Sequence, residues 1–365
     1  MSRRFLKTTV SPLVLALSLA ACSLAPTYQQ PEAPVPATYP GQVGEASAQQ
    51  AALLGWKSFF RDDRLKALIE LALEENRDLR LAMQRVEEAR AQFGIQDSER
   101  LPSIGIGGTG QIQRLPPQLR QGGPDSPSVS RTYQAGVGIT AFELDFFGRV
   151  KNLSEAAYQQ YLASEQASRT VEISLVAQVA EAYFKLRAAE EQLGLLEKTL
   201  EARQGTYDIV RTHYDNGIAS ALDLNQAQSQ LDSARAALAE TRRQREQAGN
   251  ALQLVLGTEI PTQLPEAAPF GKDQLLANIP VGLPSDLLIR RPDIISSEHA
   301  LKGANANIGA ARAAFFPRIS ITGLLGFASP ELGHLFGSNR RFWSYSPEIT
   351  MPIFSGGVTG NLALA

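Results

Sequence analysis

Residues 304–323, ANANIGAARAAFFPRISITG, change from helix-like to strand-like patterning within a few positions. Small residues fill the first half of this stretch, Pro317 interrupts it, and apolar and polar residues alternate after it. Proline cannot extend a helix, and it disfavours the helical conformation of the residue before it. Alternation with a period of two is typical of a β-strand whose two faces differ. The stretch therefore predicts a helix that passes directly into a strand at Pro317.

The same transition occurs at residues 89–108, ARAQFGIQDSERLPSIGIGG. A shift of 215 residues aligns the two stretches without a gap. The residues that the alignment pairs include Pro102 with Pro317, Gly94 with Gly309 and, after a loop six residues shorter in the second copy, Asn152 with Asn361. Self-similarity at a fixed period indicates duplicated structural units. The sequence predicts a tandem internal repeat of one helix–strand–loop–strand–helix unit.

Four segments alternate in this way, two in each copy, and we predict strands at about 103–114, 131–143, 318–328 and 341–353. Each is about ten residues long, which is the length that a tilted transmembrane strand needs. A small soluble sheet is the alternative, because the signal of each segment alone is weak. Four strands cannot close a barrel, and lipid does not tolerate open sheet edges. Membrane strands would therefore require two chains with eight strands or three with twelve.

Residues 153–257 have a different periodicity. Apolar residues step by three and four through 175–214 and again through 224–255, which is the seam of a coiled coil. The chain reverses at residues 215–217, and Ser220 is suited to cap the return helix. At 1.5 Å per residue the outgoing helix would be about 93 Å long, and the return helix about 57 Å. The long helices predict a helical tube. A soluble coiled-coil dimer is the alternative, but it would explain only the seam and not the strands.

The first 22 residues have the pattern of an export signal. A basic start precedes a short apolar run that cannot span a bilayer. The run ends at Ala21 and Cys22, the only cysteine of the chain, and it resembles a bacterial lipobox. This resemblance implies cleavage after Ala21, acylation of Cys22 and, because Ser23 follows, sorting to the outer membrane. The alternative to acylation is that Cys22 is a buried thiol of the protein core. Residues 23–50 have the Pro-, Ala- and Gln-rich composition of a tether.

Three motifs carry a resemblance to a known family: ELDFFGR at 143–149, YDNGIASALDLNQAQ at 214–228, and the run from LPSDLLIRRPDI at 283–294 to ANANIGAARAAFFPRISIT at 304–322. Over essentially the whole chain they resemble the outer-membrane efflux protein family of TolC-like channels, and its lipoprotein branch in particular. The resemblance implies an α+β membrane protein and a homotrimer. Its pooled strands would form an outer-membrane β-barrel continuous with a long α-helical coiled-coil periplasmic tunnel.

The resemblance also implies a function. A channel of this family passively exports small molecules such as drugs from the periplasm to the exterior. It works with a periplasmic adaptor (membrane fusion) protein and an inner-membrane pump of the RND type. The protein would be anchored in outer-membrane lipid by an N-acyl chain and an S-diacylglycerol group on Cys22. The candidate adaptor contact is the hairpin tip, which comprises Tyr214, Asn216, Gly217, Ile218 and Ser220. The alternative role of the tip is a tight turn.

We predict a signal peptide at 1–21, an acylated tether at 22–55, a first repeat at 56–262 with a coiled-coil hairpin at 153–257, and a second repeat at 263–365 with a helix at about 285–315. Only four residues follow Asn361, so a second hairpin is missing. We interpret the chain as a truncated or incomplete member of the family. The alternative functions are a non-conducting, lipid-anchored periplasmic scaffold and a non-functional truncated product.

Other kinds of function find little support. The formal net charge is −2 and no basic run is present, so the sequence predicts no nucleic-acid partner. His213, His299 and His334 lack the spacing of metal ligands. Glu143 and Asp145 could resemble a catalytic carboxylate pair, but a polar junction between barrel and tunnel is our interpretation. We therefore predict no enzyme activity, no metal and no cofactor other than the lipid on Cys22. The substrate range cannot be read from the sequence.

Overall fold

The computed structural model describes residues 23–31, 55–120, 123, 125–271, 274–275 and 290–354. The predicted signal peptide, Cys22 and Asn361 lie outside these residues. The helices are α1 (Trp56–Phe59), α2 (Asp63–Glu75), α3 (Arg77–Ser98), α4 (Arg149–Asp215), α5 (Ala221–Leu256) and α6 (Pro292–Ala313). The strands are β1 (Ile104–Arg114), β2 (Val129–Glu143), β3 (Arg318–Ser329) and β4 (Arg341–Thr350).

Contacts divide the chain into two compact units, one formed by residues 1–31, 87–163 and 297–365 and the other by residues 32–86 and 164–296. The first unit contains the sheet, and the second contains the helical hairpin and the main apolar core. Among the helices of the described residues, none combines the length and the apolar character needed to cross a membrane.

The sheet of the first unit is antiparallel and has the order β1-β2-β3-β4. Strands β1 and β2 form one hairpin and β3 and β4 another, one in each predicted copy of the repeat, and the pairing of β2 with β3 joins the two hairpins. The outer strands β1 and β4 are therefore edges, and nearly all of their residues are exposed in the single chain.

One face of the sheet carries a row of apolar side chains that are exposed to solvent in the single chain. The register places Ile106 opposite Val137, Val137 opposite Leu325, and Leu325 opposite Trp343. Directly opposed residues of neighbouring strands lie on the same face, so these four side chains form a row across the sheet. Ile106 is 88% exposed and Trp343 is 76% exposed. The row is thus an apolar surface that the described residues leave exposed, and we call it the apolar row.

A β-bulge interrupts the second strand. The register of β2 with β3 shifts between Ile139 and Phe142, and Ala141 has a positive φ of 48°. The backbone N–H of Ala141 donates to Oγ1 of Thr322 at 3.1 Å instead of continuing the ladder. After the bulge, Phe142 pairs with Ile321, so the strict alternation read from the sequence ends before Ala141.

The core of the second unit packs α2 against α4 and α5. Its buried apolar side chains include Leu65, Leu68, Ile69, Ala72, Leu175, Val179, Leu186, Leu252 and Leu256. Within this core the hydroxyl of Tyr183 donates to Oδ2 of Asp62 at 2.6 Å. Asp62 also caps α2, because its Oδ1 accepts from the backbone N–H of Arg64. Burial raises the pKa of Tyr183, and the bond to Asp62 raises it further. The phenol therefore keeps its proton as the donor of this bond.

The heptad seam continues along α5 beyond this core. Leu231, Ala234, Leu238 and Thr241 are buried at alternating spacings of three and four. Ser220 caps α5, as the sequence predicts, through a capping box with Asp223. At its other end α5 stops at Gly257, which has a φ of +79°.

Replacing Tyr183 by Phe should lower the free energy of unfolding by about 1.5–3 kcal/mol, because it leaves the buried Asp62 carboxylate short of one hydrogen bond. Denaturant unfolding of the purified protein, followed by helical circular dichroism, measures this. The matched control is Tyr214→Phe, since Tyr214 is 41% exposed at the hairpin tip. Equal effects of the two substitutions would contradict the role given to the Tyr183–Asp62 bond.

Gly257→Ala should destabilise the protein by about 2 kcal/mol or more, because a left-handed conformation is unfavourable for Ala and the added Cβ would lie 2.7 Å from the carbonyl oxygen of Glu75. Gly217 has a similar φ of +73°, but nothing lies within 4 Å of its added Cβ. Gly217→Ala should therefore cost only about 1 kcal/mol in the same unfolding measurement. A smaller loss at Gly257 than at Gly217 would show that the close approach to Glu75 is unimportant.

Candidate functional site

Both prolines of the repeat lie where a helix gives way to a strand. Pro102 lies between the end of α3 at Ser98 and the start of β1 at Ile104. Pro317 directly precedes β3, four residues after the end of α6 at Ala313. The structure therefore has two helix-to-strand junctions, one in each predicted copy of the repeat.

An ion cluster holds the second junction together, and its centre is the largely buried side chain of Glu143 at the end of β2. Its carboxylate accepts two hydrogen bonds from Arg149 at the start of α4, at 2.8 and 2.7 Å. The guanidinium of Arg318, the first residue of β3, pairs with the same carboxylate. The cluster thus connects the end of β2 to the first residue of β3.

Aromatic packing accompanies this cluster. The rings of Phe147 and Phe316 stack with centroids 4.8 Å apart. Together with Arg149, Pro317 and Arg318 they line a cavity of about 230 Å³. These contacts make the junction a polar and aromatic joint between sheet and helices.

Glu143 and Asp145, which could resemble a catalytic pair, bind different partners. Glu143 is engaged by two arginines, whereas Oδ2 of Asp145 accepts from the backbone N–H of Lys151 at 2.8 Å near the start of α4. Carboxylates at helix N-termini stabilise exposed backbone donors there. The geometry therefore agrees with a structural junction.

The hairpin tip is a compact and exposed turn. The N–H of Ile218 donates to the carbonyl of His213 at 2.8 Å, and the side chain of Asn216 donates to the carbonyl of Thr212 at 2.7 Å. The left-handed Gly217 allows these bonds to close the helix end. Ile218 is left 74% exposed. An exposed isoleucine on a rigid turn is a surface that another protein could contact.

The remaining candidates are dispersed or lie outside the described residues. Ala21 and Cys22 belong to the latter group. His334 contacts Glu331 and His299 contacts Gln159, so these two histidines have different partners. Within the part of the chain that the structure describes, no three His, Cys, Asp or Glu side chains are grouped as a metal site would require.

Sequence reasoning missed two features of this region. The ion pair of Glu143 with Arg318 joins residues far apart in sequence, and no local signal reveals it. Residues 23–31 have the composition of a tether, but the structure places Ser23 against Asn152 and Pro26 against Asn305. The first residues after Cys22 are therefore docked, while residues 32–54 of the predicted tether lie outside the described residues.

The mixed helices and strands agree with those of known outer-membrane channels. The open-state outer membrane channel MtrE of Neisseria gonorrhoeae has a TM-score of 0.81 and 40% identity, over 94% of this chain and 75% of that one. The model of the family described as "Outer membrane efflux protein" matches residues 68–258 and 283–365.

Two relatives extend the comparison. The toluene efflux pump outer membrane protein TtgC of Pseudomonas putida is 44% identical over 355 residues, which cover 96% of this chain and 73% of that protein. The cation efflux system protein CusC of Escherichia coli is 43% identical over 351 residues, covering 95% and 74%. This chain thus belongs to the outer membrane efflux protein family, a family of transport channels rather than enzymes. It is an efflux protein of the outer membrane, and the predicted family is confirmed.

Replacing Glu143 by Gln should lower the free energy of unfolding by about 1–3 kcal/mol, because two guanidinium groups lose their common carboxylate. The half-exposed Arg318 keeps this value below that of a fully buried pair. Denaturant unfolding in detergent, followed by the β-sheet signal, measures the change. Glu348→Gln, on the exposed edge strand β4, is the control and should change little. A Glu143 variant as stable as the control would show that the ion cluster does not stabilise the junction.

Proposed function

We propose that three copies of this chain combine their strands into one twelve-stranded outer-membrane β-barrel, which continues into the periplasm as a helical tunnel. Through it, small molecules such as drugs leave the cell passively. The observation that carries this proposal is the four-stranded sheet with two open edges and an exposed apolar row.

The open edges require partners of the same kind. The outer edges of β1 and β4 have no strand paired to them in the described sheet. In lipid each unpaired backbone group costs several kcal/mol, so a β-sheet can span the bilayer only as a closed barrel. Pairing β4 of one copy with β1 of the next would satisfy both edges and would repeat the antiparallel pattern around a ring.

The size of the lumen favours three copies over two. An eight-stranded barrel has an interior that its own side chains fill, or that holds one small ligand. Twelve strands enclose a wider lumen, through which a drug-sized molecule can pass. The apolar row would face lipid, while the opposite face, with Thr109, Gln111 and Ser344, would line the lumen.

The acyl groups on Cys22 and the two proteins that supply the cargo are part of the same proposal. The lipid would hold the N-terminus at the membrane, with about 0.8 kcal/mol for each buried CH₂ group. A periplasmic adaptor would dock on the hairpin tip, and an inner-membrane pump would provide the energy. No cofactor other than the lipid is proposed.

The names of the relatives support a conduit that does not itself select its cargo. TtgC is named for toluene efflux and CusC for cation efflux, yet both are 43–44% identical to this chain. Such different cargoes on one fold indicate that selection rests with another component. Drugs are the cargo that we propose for this chain, and an antibiotic is a convenient probe.

The tip can be tested with two isoleucines of the same hairpin. Ile218 is 74% exposed at the tip, and Ile209 is 61% exposed nine residues earlier on α4. If the adaptor buries Ile218 at the centre of its contact, a charge at this position should weaken the affinity about tenfold or more. Ile218→Asp should therefore lower antibiotic resistance several-fold in source cells that lack the native copy, while Ile209→Asp should change it little.

Both variants must first be shown to reach the outer membrane at the wild-type level. Equal resistance with Ile218→Asp and Ile209→Asp would show that the adaptor does not dock on the tip. A wild-type chain that reaches the outer membrane but does not restore resistance would contradict the export function itself.

A further inference from the structure

Three arginines lie on the same face of the sheet as the apolar row. Alternate residues of a strand share a face, and each arginine lies an even number of positions from the member of the row on its own strand. These arginines are Arg114 of β1, Arg131 of β2 and Arg341 of β4. The bulge of β2 lies beyond Ile139, so the register here is continuous. All three are exposed, and we call them the arginine girdle.

The arginine girdle occupies only one end of this face. Arg114 is the last residue of β1, Arg341 is the first of β4, and Arg131 is the third of β2. These strand ends are the ones that the loops at 115–128 and 330–340 connect. At the opposite end, next to the helices, the same face carries Ile104, Ile139, Ile319 and Ile349. Charge thus distinguishes the two ends of the apolar face.

The strands place no carboxylate beside these cations. Among β1 to β4 the only carboxylates are Glu143 and Glu348, and the register places both on the opposite face, where each lies opposite Ser320. In the loop between β3 and β4, Glu331 pairs with His334. Within the described residues no side chain of the arginine girdle forms a hydrogen bond or an ion pair. The strands therefore supply three cations and no anion to this face.

Two members of the arginine girdle are close neighbours. Arg131 lies directly opposite Ile112, and Arg114 is two residues beyond Ile112 on β1. The Cα atoms of such diagonal positions are about 7–8 Å apart, which is within reach of long side chains. Two like charges at this separation repel each other unless an anion lies between them. A phosphate group suits the position, because its oxygens accept two parallel hydrogen bonds from one guanidinium.

The length of β1 places Arg114 at the edge of a hydrocarbon layer. The strand has 11 residues, Ile104–Arg114. At about 3.4 Å per residue Arg114 lies about 34 Å along the strand from Ile104, or about 26 Å along the membrane normal at a tilt of about 40°. The apolar band of a membrane barrel is about 25 Å tall. A lipid-facing arginine is unfavourable at the midplane of the bilayer and nearly neutral at its interface.

Aromatic residues mark the approach to the same level. Tyr133 and Trp343 each lie two residues from an arginine of the girdle, on the same face and toward the middle of the strand. Tyrosine and tryptophan are enriched where the hydrocarbon of a membrane meets water. Along β2 and β4 this face therefore changes from apolar to aromatic to cationic, as a bilayer changes from its core to its headgroups.

We propose that the arginine girdle binds the phosphate groups of an anionic lipid in the outer leaflet of the outer membrane. The inference rests on the proposed function, in which the helices lie in the periplasm and the loops between paired strands lie outside the cell. The ligand class is a phosphorylated glycolipid such as lipid A, whose phosphates stay at headgroup level. Because the other end of the same face lacks cations, the girdle fixes both the height of the barrel and its orientation between the two leaflets.

Binding can be measured by titration with lipid A that carries two phosphates. The complete protein is purified from membranes, freed of lipid and kept in a neutral detergent. Arg114→Gln combined with Arg131→Gln should weaken the affinity about tenfold or more, because both donors of the close pair are lost. The matched control combines Arg85→Gln and Arg169→Gln, two exposed arginines on α3 and α4, and should bind like the wild type.

Two further ligands identify the feature that is bound. Lipid A without phosphates should bind the wild type about as weakly as it binds the variant with both girdle substitutions. Inorganic pyrophosphate should compete only at concentrations far above that of lipid A. Equal affinity of the wild type for lipid A with and without phosphates would overturn the inference. Competition by pyrophosphate at the concentration of lipid A would overturn it too, because the site would then be one for soluble phosphate.

A separate variant covers the case in which the chain with both substitutions fails to assemble. Arg341→Gln changes only the other edge strand, and it should weaken the affinity for lipid A several-fold relative to the control with Arg85→Gln and Arg169→Gln. Assembled girdle variants that bind lipid A as tightly as the wild type would overturn the inference.

This inference and the proposed function fail in different ways. A wild-type chain that reaches the outer membrane and restores resistance, but does not prefer phosphorylated lipid A, would refute the role of the arginine girdle alone. A wild-type chain that does not reach the outer membrane would refute the proposed function. The titration of the purified protein would still decide whether these arginines bind phosphate.

Discussion

The structure depends on the unsatisfied hydrogen-bonding groups at the two edges of one four-stranded sheet. In water such edges invite aggregation, and in lipid they are prohibitively costly. The same sheet carries the apolar row from Ile106 to Trp343, which water does not favour either. The proposed edge-to-edge pairing of chain copies inside a membrane would solve both problems. The outer-membrane location of the family agrees with this requirement.

Contacts at the helix-to-strand junction connect the two predicted copies of the repeat. Glu143 belongs to the first copy and Arg318 to the second, and their ion pair lies beside the pairing of β2 with β3. Ser23 and Leu24 contact both predicted copies as well, through Asn152 and Arg312. Strand pairing, charge and the N-terminal segment therefore all connect the two copies at the level where helices become strands.

Much of this fold can be predicted from the sequence, because its signals are local. The two prolines, the period-two strands and the heptad seam each report the conformation of neighbouring residues, and the structure has helices and strands where these patterns occur. The bulge at Ala141 is invisible because its cause, the bond to Thr322, is distant in sequence. The contacts of residues 23–26 with α4 and α6 are invisible for the same reason, since composition cannot show that Gly309 leaves room for Ala25. Closure by further copies of the chain follows from physical constraint and resemblance, not from any one residue.

The most direct test of the account is whether β1 of one copy pairs with β4 of another. Single cysteines are introduced along β1, at Thr109 or Gln111, and along β4, at Ser344 or Ser346, and the outer-membrane fraction is oxidised. Chains with both cysteines should give disulfide-linked species of two and three chains on a denaturing gel, and none larger, whereas chains with one cysteine should give none. Absence of any link between chains, or a ladder that continues beyond three, would contradict the closed trimeric barrel.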